Sequence, residues 1–520
     1  MNWDQPYNSR RSPVCANNIV AASQPLAVQA GIDAMRRGGN AVDAALATAI
    51  TLTVVEPNMN GLGSDAFAIL WDGHEVVGIN GSGRSPAAMT LERFSGATKM
   101  PNVGWDSVTV PGAVSTWVAL SERYGQLDFA ALFEPAIAYA REGFQVGPKT
   151  AHHWKLAERS YAGFEAFREH FLPAPAAGER VRRPDMDRTL MLIAQSRGEA
   201  FYRGELAQAI VETAAGAGGL LSAEDLATHQ AQWVTPICQP YREIELHEIP
   251  PNGQGLAAQI ALGILQHLEA PRLNTTLSVH RQIEAMKIAI HAAFTYFADP
   301  AAMRVSPEEL LAPGSLAAAA ERIGDKASDL PPVDLPVSHD TVYLTTADAS
   351  GMMVSFIQSN YMGFGSGIVI PGTGISLQNR GYGFSLDPGH PNCVGPAKRP
   401  YHTIIPGFVT AKGAPRVSFG VMGGHMQHQG HVQMVNRLFD CEENPQAASD
   451  APRWRVDEEF NVDLESGFPR AIADGLAKLG HVVRYDGEDS LFGGAQLIVK
   501  TDDGYIAGSD HRKEGYAGGF

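Results

Sequence analysis

The spacing of apolar positions changes along the chain and predicts which elements form. Val28, Ile32 and Met35 fall on one helical face, Ser23 and Pro25 stand at the start of that run, and Gly38-Gly39 ends it. Residues 41 to about 53 read as a second, alanine-rich helix. Residues 66–71 and 76–80 read as strands flanking the turn Asp72-Gly73. Residues 120–230 are mainly helical, closing at Gly218-Gly219-Leu220-Leu221 and Glu224-Asp225. After residue 341 the pattern is strand-rich, becomes helical near residues 429–438, and returns to strands. Helices and strands in this order give the class α+β; period counting goes no further. No internal repeat or low-complexity segment interrupts the pattern.

One stretch of this pattern carries candidate chemistry. Residues 342–347 form an apolar β run, Asp348-Ala349-Ser350-Gly351 is turn chemistry, and residues 352–359 form a second β run. A hairpin centred on Ala349 or Ser350 puts Thr341 opposite Gln358 or Ser359, depending on register. Read plainly, this is an edge hairpin with surface hydroxyls. Read chemically, Asp340-Thr341 is a self-cleavage site. A threonine hydroxyl needs a base, and breaking that bond frees an α-amine with a pKa of about 7.7–8.0 on the same residue. Thr341 then supplies both nucleophile and base.

Four further segments carry a family resemblance. Gly38-Gly39-Asn40-Ala41-Val42-Asp43-Ala44-Ala45 runs on to Val55-Glu56-Pro57 and Gly61-Leu62-Gly63-Ser64-Asp65. Val110-Pro111-Gly112 precedes Pro135-Ala136-Ile137 and Glu142-Gly143-Phe144. Gly395-Pro396-Ala397-Lys398-Arg399-Pro400 precedes Gly423-Gly424, and Gly508-Ser509-Asp510 with Arg512 lies near the end. In this order and spacing the chain, from about residue 15 to about 515, resembles the γ-glutamyltransferase family of N-terminal-nucleophile hydrolases. The resemblance implies a four-layer α-β-β-α sandwich built from two interleaved fragments, residues 1–340 and 341–520, that together make one globular unit. It implies Thr341 as nucleophile, Ser359 as the hydroxyl that steadies it, and the Gly423 and Gly424 N–H groups as oxyanion hole. Arg84, in Asn80-Gly81-Ser82-Gly83-Arg84-Ser85-Pro86, resembles the arginine that holds a substrate carboxylate.

The departures from the family narrow the substrate. Where the family places an aspartate for the α-ammonium, this chain has Gly383, and Arg380 replaces a neutral amide. Two serines become His402 and Thr403, and Tyr361 takes the position of a substrate-binding asparagine. An ammonium needs an anion, and a further arginine repels it and attracts carboxylate. Asp387 restores the charge only if its loop folds differently. The expected substrate is the amide of a small carboxylate-bearing acyl group, such as a glutaryl-type acid or oxamate. These departures resemble the acylase branch of the family. The alternatives are an orthodox glutathione hydrolase and transferase, and an unprocessed protein that binds a small acid.

Composition removes other classes. The formal charge is −16, from 40 basic and 56 acidic residues, so nucleic acid is not an expected partner. Cys15, Cys238, Cys393 and Cys441 are widely separated, form no CxxC pair and read as free thiols in a reducing compartment. No signal-peptide core or spanning helix is read, so the expectation is a cytoplasmic protein with no membrane partner. His425, His428 and His431 recur every third residue, but nearby carboxylates are lacking until Asp440, so no metal is expected. Gly363, Gly365 and Gly367 complete no nucleotide motif, and no cofactor is expected. Pro251-Asn252-Gly253-Gln254-Gly255 is turn sequence and a candidate pocket loop. Residues 326–337, containing Asp329-Leu330-Pro331-Pro332-Val333-Asp334, read as an exposed loop before the cut. The expected partner of each fragment is the other; a dimer of such pairs is left open.

Overall fold

The computed structural model describes residues 3, 10–269, 274–333, 341–486 and 489–520. Residues 334–340, and with them Asp340, lie outside the described residues.

The first helix, Pro25–Arg36, starts where its sequence signals place it. The side chain that caps it is Gln24, which accepts from the N–H groups of Leu26 and Ala27, while the Ser23 hydroxyl donates to Glu56 Oε2 at 2.5 Å. Gly38, at φ 94°, turns the chain out of the helix. The second helix, Ala41–Val55, is buried along its whole length, which explains its small apolar residues. Asn40 and Asp43 form a capping box at its start. The free N–H of Ala41 is taken by Asp348 Oδ2 at 2.7 Å, from the turn of the candidate hairpin. That hairpin is therefore docked on a buried helix.

Two seven-stranded sheets follow from the remaining apolar runs, and every neighbouring pair of strands in them is antiparallel. The first sheet runs, in spatial order, Tyr516–Gly519, Ile19–Ala22, Val342–Ala347, Met353–Ser359, Asp65–Trp71, Val76–Asn80, Gln232–Val234. The second runs Val14–Ala16, Gly504–Ser509, Gly494–Thr501, Ala414–Met422, Gly407–Ala411, Ile244–Glu248, Ile237–Tyr241. Both sheets combine strands from before and after residue 341. The candidate hairpin occupies the middle of the first sheet and is buried on both faces, so the reading of an edge hairpin with surface hydroxyls does not hold.

The sheets pack face to face through Phe67, Ile69, Tyr343, Ile357, Ile404, Phe408 and Met422. Contact is close enough that a Cβ on Gly420 would lie 2.4 Å from the Tyr343 ring. Helices Pro25–Arg36 and Ala41–Val55 pack outside the first sheet. Gly255–Gln266 and Gln427–Val435 pack outside the second, with Thr276–Tyr296 against Gly255–Gln266. Among the described residues no helix is long and apolar enough to cross a membrane. The described part of the pre-cut segment, residues 326–333, has no helix or strand and is pinned by Ala327 N to Leu479 O (2.8 Å) and Val333 N to Glu458 O (3.0 Å).

Candidate active site

Hairpin pairing sets the first part of the site. Val342 pairs with Gln358, which puts Thr341 opposite Ser359. Thr341 Oγ1 donates to Ser359 Oγ at 3.1 Å, and the Tyr361 N–H donates to the same oxygen at 2.8 Å. Both hydroxyl residues are buried.

Stacking of the two sheets brings up the second part. Side chains at 345, 343 and 341 share one strand face. Thr345 Oγ1 lies 2.5 Å from Ser418 Oγ, and the Tyr343 ring covers Gly420. Thr341 immediately precedes the strand Val342–Ala347, and Met422, the residue before Gly423, ends the strand Ala414–Met422. Gly423 and Gly424 adopt φ values of 126° and 56°, which side chains rarely tolerate. They open the turn that leads into the helix Gln427–Val435.

The third part is a buried polar pocket beside Ser359. The neighbouring strand pairs Asp65 with Ser359. Asp65 Oδ2 is 3.0 Å from His402 Nε2, and Oδ1 accepts the Gly112 N–H at 3.1 Å. Burial pushes the Asp65 carboxyl up to about 7, opposed by Arg380 and by backbone donors. Burial, then the charges of Arg380 and Arg399, hold His402 well below its usual range, so its ring is neutral. Arg380 is itself buried, with Nη1 donating to Thr403 Oγ1 at 2.8 Å and its guanidinium 4.6 Å from the centre of the Tyr361 ring. Burial lowers its pKa only to about 10, opposed first by Asp65, so it stays charged at neutral pH. Its Nε and Nη2 are buried and have no hydrogen-bond partner among the described residues. These two nitrogens form one edge of the guanidinium, the edge that fits both oxygens of a carboxylate.

Tyr361 has φ 82°, an uncommon conformation for a residue with a side chain, and this turns its ring beneath Arg380. Beyond it opens a cleft of about 630 Å³ lined among others by Tyr361, Tyr382, Gly383, Asp387 and Tyr401. Gly383 leaves no space for an aspartate, since a Cβ there would lie 2.7 Å from Tyr401 O. Asp387 is exposed, on the cleft wall, with Oδ1 accepting the Gly389 N–H.

Arg84 is not brought into this group. Its Nη1 donates to Asp299 Oδ2 and to Ala397 O, both at 3.0 Å, and it lines a separate depression with His229 and Arg399. The three spaced histidines do not converge either. His431 Nδ1 meets Glu248 Oε1 at 2.6 Å, His428 Nδ1 meets Gln254 Oε1 at 2.9 Å, and the His425 ring stacks on Tyr401.

A model of the gamma-glutamyltranspeptidase family matches residues 27–520. The chain belongs to the gamma-glutamyltranspeptidase family. It is 35% identical to the glutathione hydrolase-like YwrD proenzyme of Bacillus subtilis, over 98% of this chain and 100% of that protein. It is 34% identical to the oxamate amidohydrolase proenzyme of Klebsiella pneumoniae, over 98% of this chain and 99% of that protein. The crystal structure of cephalosporin acylase from Bacillus halodurans superposes with a TM-score of 0.96 at 46% identity, covering 100% of this chain and 99% of that one.

Within this gamma-glutamyltranspeptidase family chain, sequence reasoning missed Asp65 and Gln254 as parts of the site. Asp65 stood in the quoted Gly61–Asp65 motif without a role, because its pairing with Ser359 spans 294 residues (359 − 65). Gln254 stood in the turn-rich loop, where nothing local marks its side chain as the one that reaches Thr403 and Gly424.

Proposed function

We propose that this gamma-glutamyltranspeptidase family protein is a self-cleaving threonine amidohydrolase acting on the amide of a small carboxylate-bearing acyl group. In the first reaction the Thr341 hydroxyl attacks the Asp340 carbonyl, and the acyl group moves from nitrogen to oxygen. Water then hydrolyses the ester, leaving an Asp340 carboxylate and a free Thr341 amine. In the second reaction the amine takes the hydroxyl proton and Thr341 Oγ1 attacks the substrate carbonyl. The N–H groups of Gly423 and Gly424 hold the oxyanion. The amine returns its proton to the leaving nitrogen, and water releases the acid from the acyl-enzyme.

The observation that carries the substrate class is the unpartnered Nε–Nη2 edge of buried Arg380, beside Thr403 and over Tyr361. Buried N–H donors without acceptors are costly, and a substrate carboxylate removes that cost. Asp65 is already committed to His402 and Gly112, and Gly383 has replaced the family's aspartate, so the pocket offers little to an ammonium. Oxamate and glutaryl-type amides fit this description. The amidohydrolase and acylase relatives support the reaction class, and their proenzyme form supports division into residues 1–340 and 341–520. The two stacked sheets with outer helices support a four-layer α-β-β-α sandwich of the N-terminal-nucleophile hydrolase type. Four free thiols support a reducing, cytoplasmic location.

Intact mass and N-terminal sequencing of the purified protein, beside Thr341→Ala, test the first reaction. The expected result is two fragments, the smaller beginning at Thr341, with the variant uncut. Assay of the cut protein with oxamate, glutaryl amides and glutathione tests the second. Glutathione hydrolysis matching or exceeding that of the acid amides would overturn the substrate class.

A further inference from the structure

The loop before helix Gly255–Gln266 supplies a side chain that joins two parts of the site. Gln254 is completely buried. Its Nε2 donates to Thr403 O at 2.5 Å and to Gly424 O at 2.9 Å. Its Oε1 accepts from the Tyr401 hydroxyl at 3.0 Å and from His428 Nδ1 at 2.9 Å. A primary amide offers two N–H donors and two acceptor lone pairs, so every hydrogen-bonding position is filled. The backbone is tied to the same region: Gln254 N donates to His402 O at 3.0 Å, and His402 N donates to Asn252 O at 2.9 Å.

The partners fall on two sides. Thr403 belongs to the carboxylate pocket, since its hydroxyl accepts from Arg380 Nη1. Gly424 belongs to the glycine pair, and His428 to the helix that follows it. Glycine restricts its own backbone less than any other residue, so the pair's orientation has to be fixed from outside. One nitrogen bonded to both carbonyls keeps the Thr403 and Gly424 oxygens within two hydrogen-bond lengths of each other.

We infer that Gln254 is a positioning residue that sets the distance between the Arg380 pocket and the Gly423-Gly424 oxyanion hole. An acyl group seated on Arg380 then presents its carbonyl to Thr341 and to the glycine N–H groups together. The inference rests on the function proposed above, and Gln254 acts through Thr403 and Gly424, not on reacting atoms. Misplacement by about 1 Å costs on the order of 10²-fold in rate, so a fixed span matters more to turnover than to binding.

The test uses the self-cut wild type, Gln254→Met and Gln254→Glu, with oxamate and a glutaryl anilide as probes. Turnover and KM are read separately from pH 5 to pH 8, beside thermal unfolding. Gln254→Met, of similar length but unable to make the four bonds, is expected to lower kcat about 10- to 100-fold with KM within about threefold. In Gln254→Glu a carboxylate faces two carbonyl oxygens. Its kcat relative to wild type is expected to be lowest at pH 8 and to rise at least fivefold toward pH 5, as protonation restores a donor. Tyr401 and His428, the titratable groups touching this position, stay neutral across that range, because burial raises the one and lowers the other to about 3. Wild-type kcat in Gln254→Met, or a Gln254→Glu profile parallel to wild type, would overturn the inference. Activity lost only in proportion to the unfolded fraction would also overturn it. If Gln254→Met does not fold, the Gln254→Glu profile decides alone. Absence of Thr341-dependent turnover in the wild type would instead remove the proposed function itself.

Discussion

Ser359 Oγ accepts from Thr341 Oγ1 at 3.1 Å and from the Tyr361 N–H at 2.8 Å, so one oxygen joins the candidate nucleophile to the residue that lies beneath the carboxylate pocket. Ser359→Ala removes that oxygen and leaves the strand intact. Self-cleavage and amide turnover are both expected to slow by about 10- to 100-fold, with stability lowered by about 1–3 kcal/mol because the buried Tyr361 N–H loses this acceptor. Timed intact-mass measurement and steady-state kinetics check this.

Arg380→Leu is expected to reduce kcat/KM for acid amides about 10²- to 10⁴-fold, as two charge-assisted hydrogen bonds of about 1.5–3 kcal/mol each are lost. Neutral amides of the same length are expected to change by less than about threefold. Comparable losses on both would show that the arginine shapes the pocket without reading the carboxylate. Arg84→Ala, by contrast, breaks a pair between half-exposed Arg84 and buried Asp299, and kcat/KM is expected to stay within about threefold.

Asp65 gives the site a pH dependence whose sign can be worked out. Its carboxyl is pushed up to about 7, chiefly by burial, against a value of about 4 in an unfolded chain. Its contribution to stability is therefore present at low pH and lost as pH rises through about 7. For the substrate, an ionised Asp65 competes for the charge of Arg380. KM for an acid amide is expected to rise from pH 6 to pH 8, and Asp65→Asn is expected to flatten the rise. A flat wild-type profile would count against it.

Gly423→Ala places a Cβ 2.9 Å from Gly493 Cα, on backbone at φ 126°. Destabilisation of about 1–3 kcal/mol is expected, together with a fall in kcat of about 10²- to 10³-fold. Chemical denaturation and kinetics on the folded fraction separate the two effects.

What could be read in the sequence was local. The Asp348–Gly351 turn and its flanking β runs brought Thr341 opposite Gln358 or Ser359, and pairing of Val342 with Gln358 selects Ser359. The first two helices and the Val76–Asn80 strand fell close to their signals, because proline, glycine and capping residues act within a turn. What was missed depends on pairings between distant strands and loops. Asp299 captures Arg84 from 215 positions away, and no local pattern announces it. Asp65 and Gln254 reach the site only after both sheets have formed, so their roles follow from topology, not from neighbouring residues.

The mixing of strands from either side of residue 341 within each sheet bears on the timing of the proposed cut. Neither residues 1–340 nor residues 341–520 hold a complete sheet, so the strand that follows Thr341 is flanked on both sides only once Ile19–Ala22 has paired with it. On the proposed chemistry, an unassembled or misregistered chain never exposes the amine that catalysis requires. On that proposal the cut works as proofreading of folding: activity is issued one molecule at a time, and only to copies that have already found their native pairing.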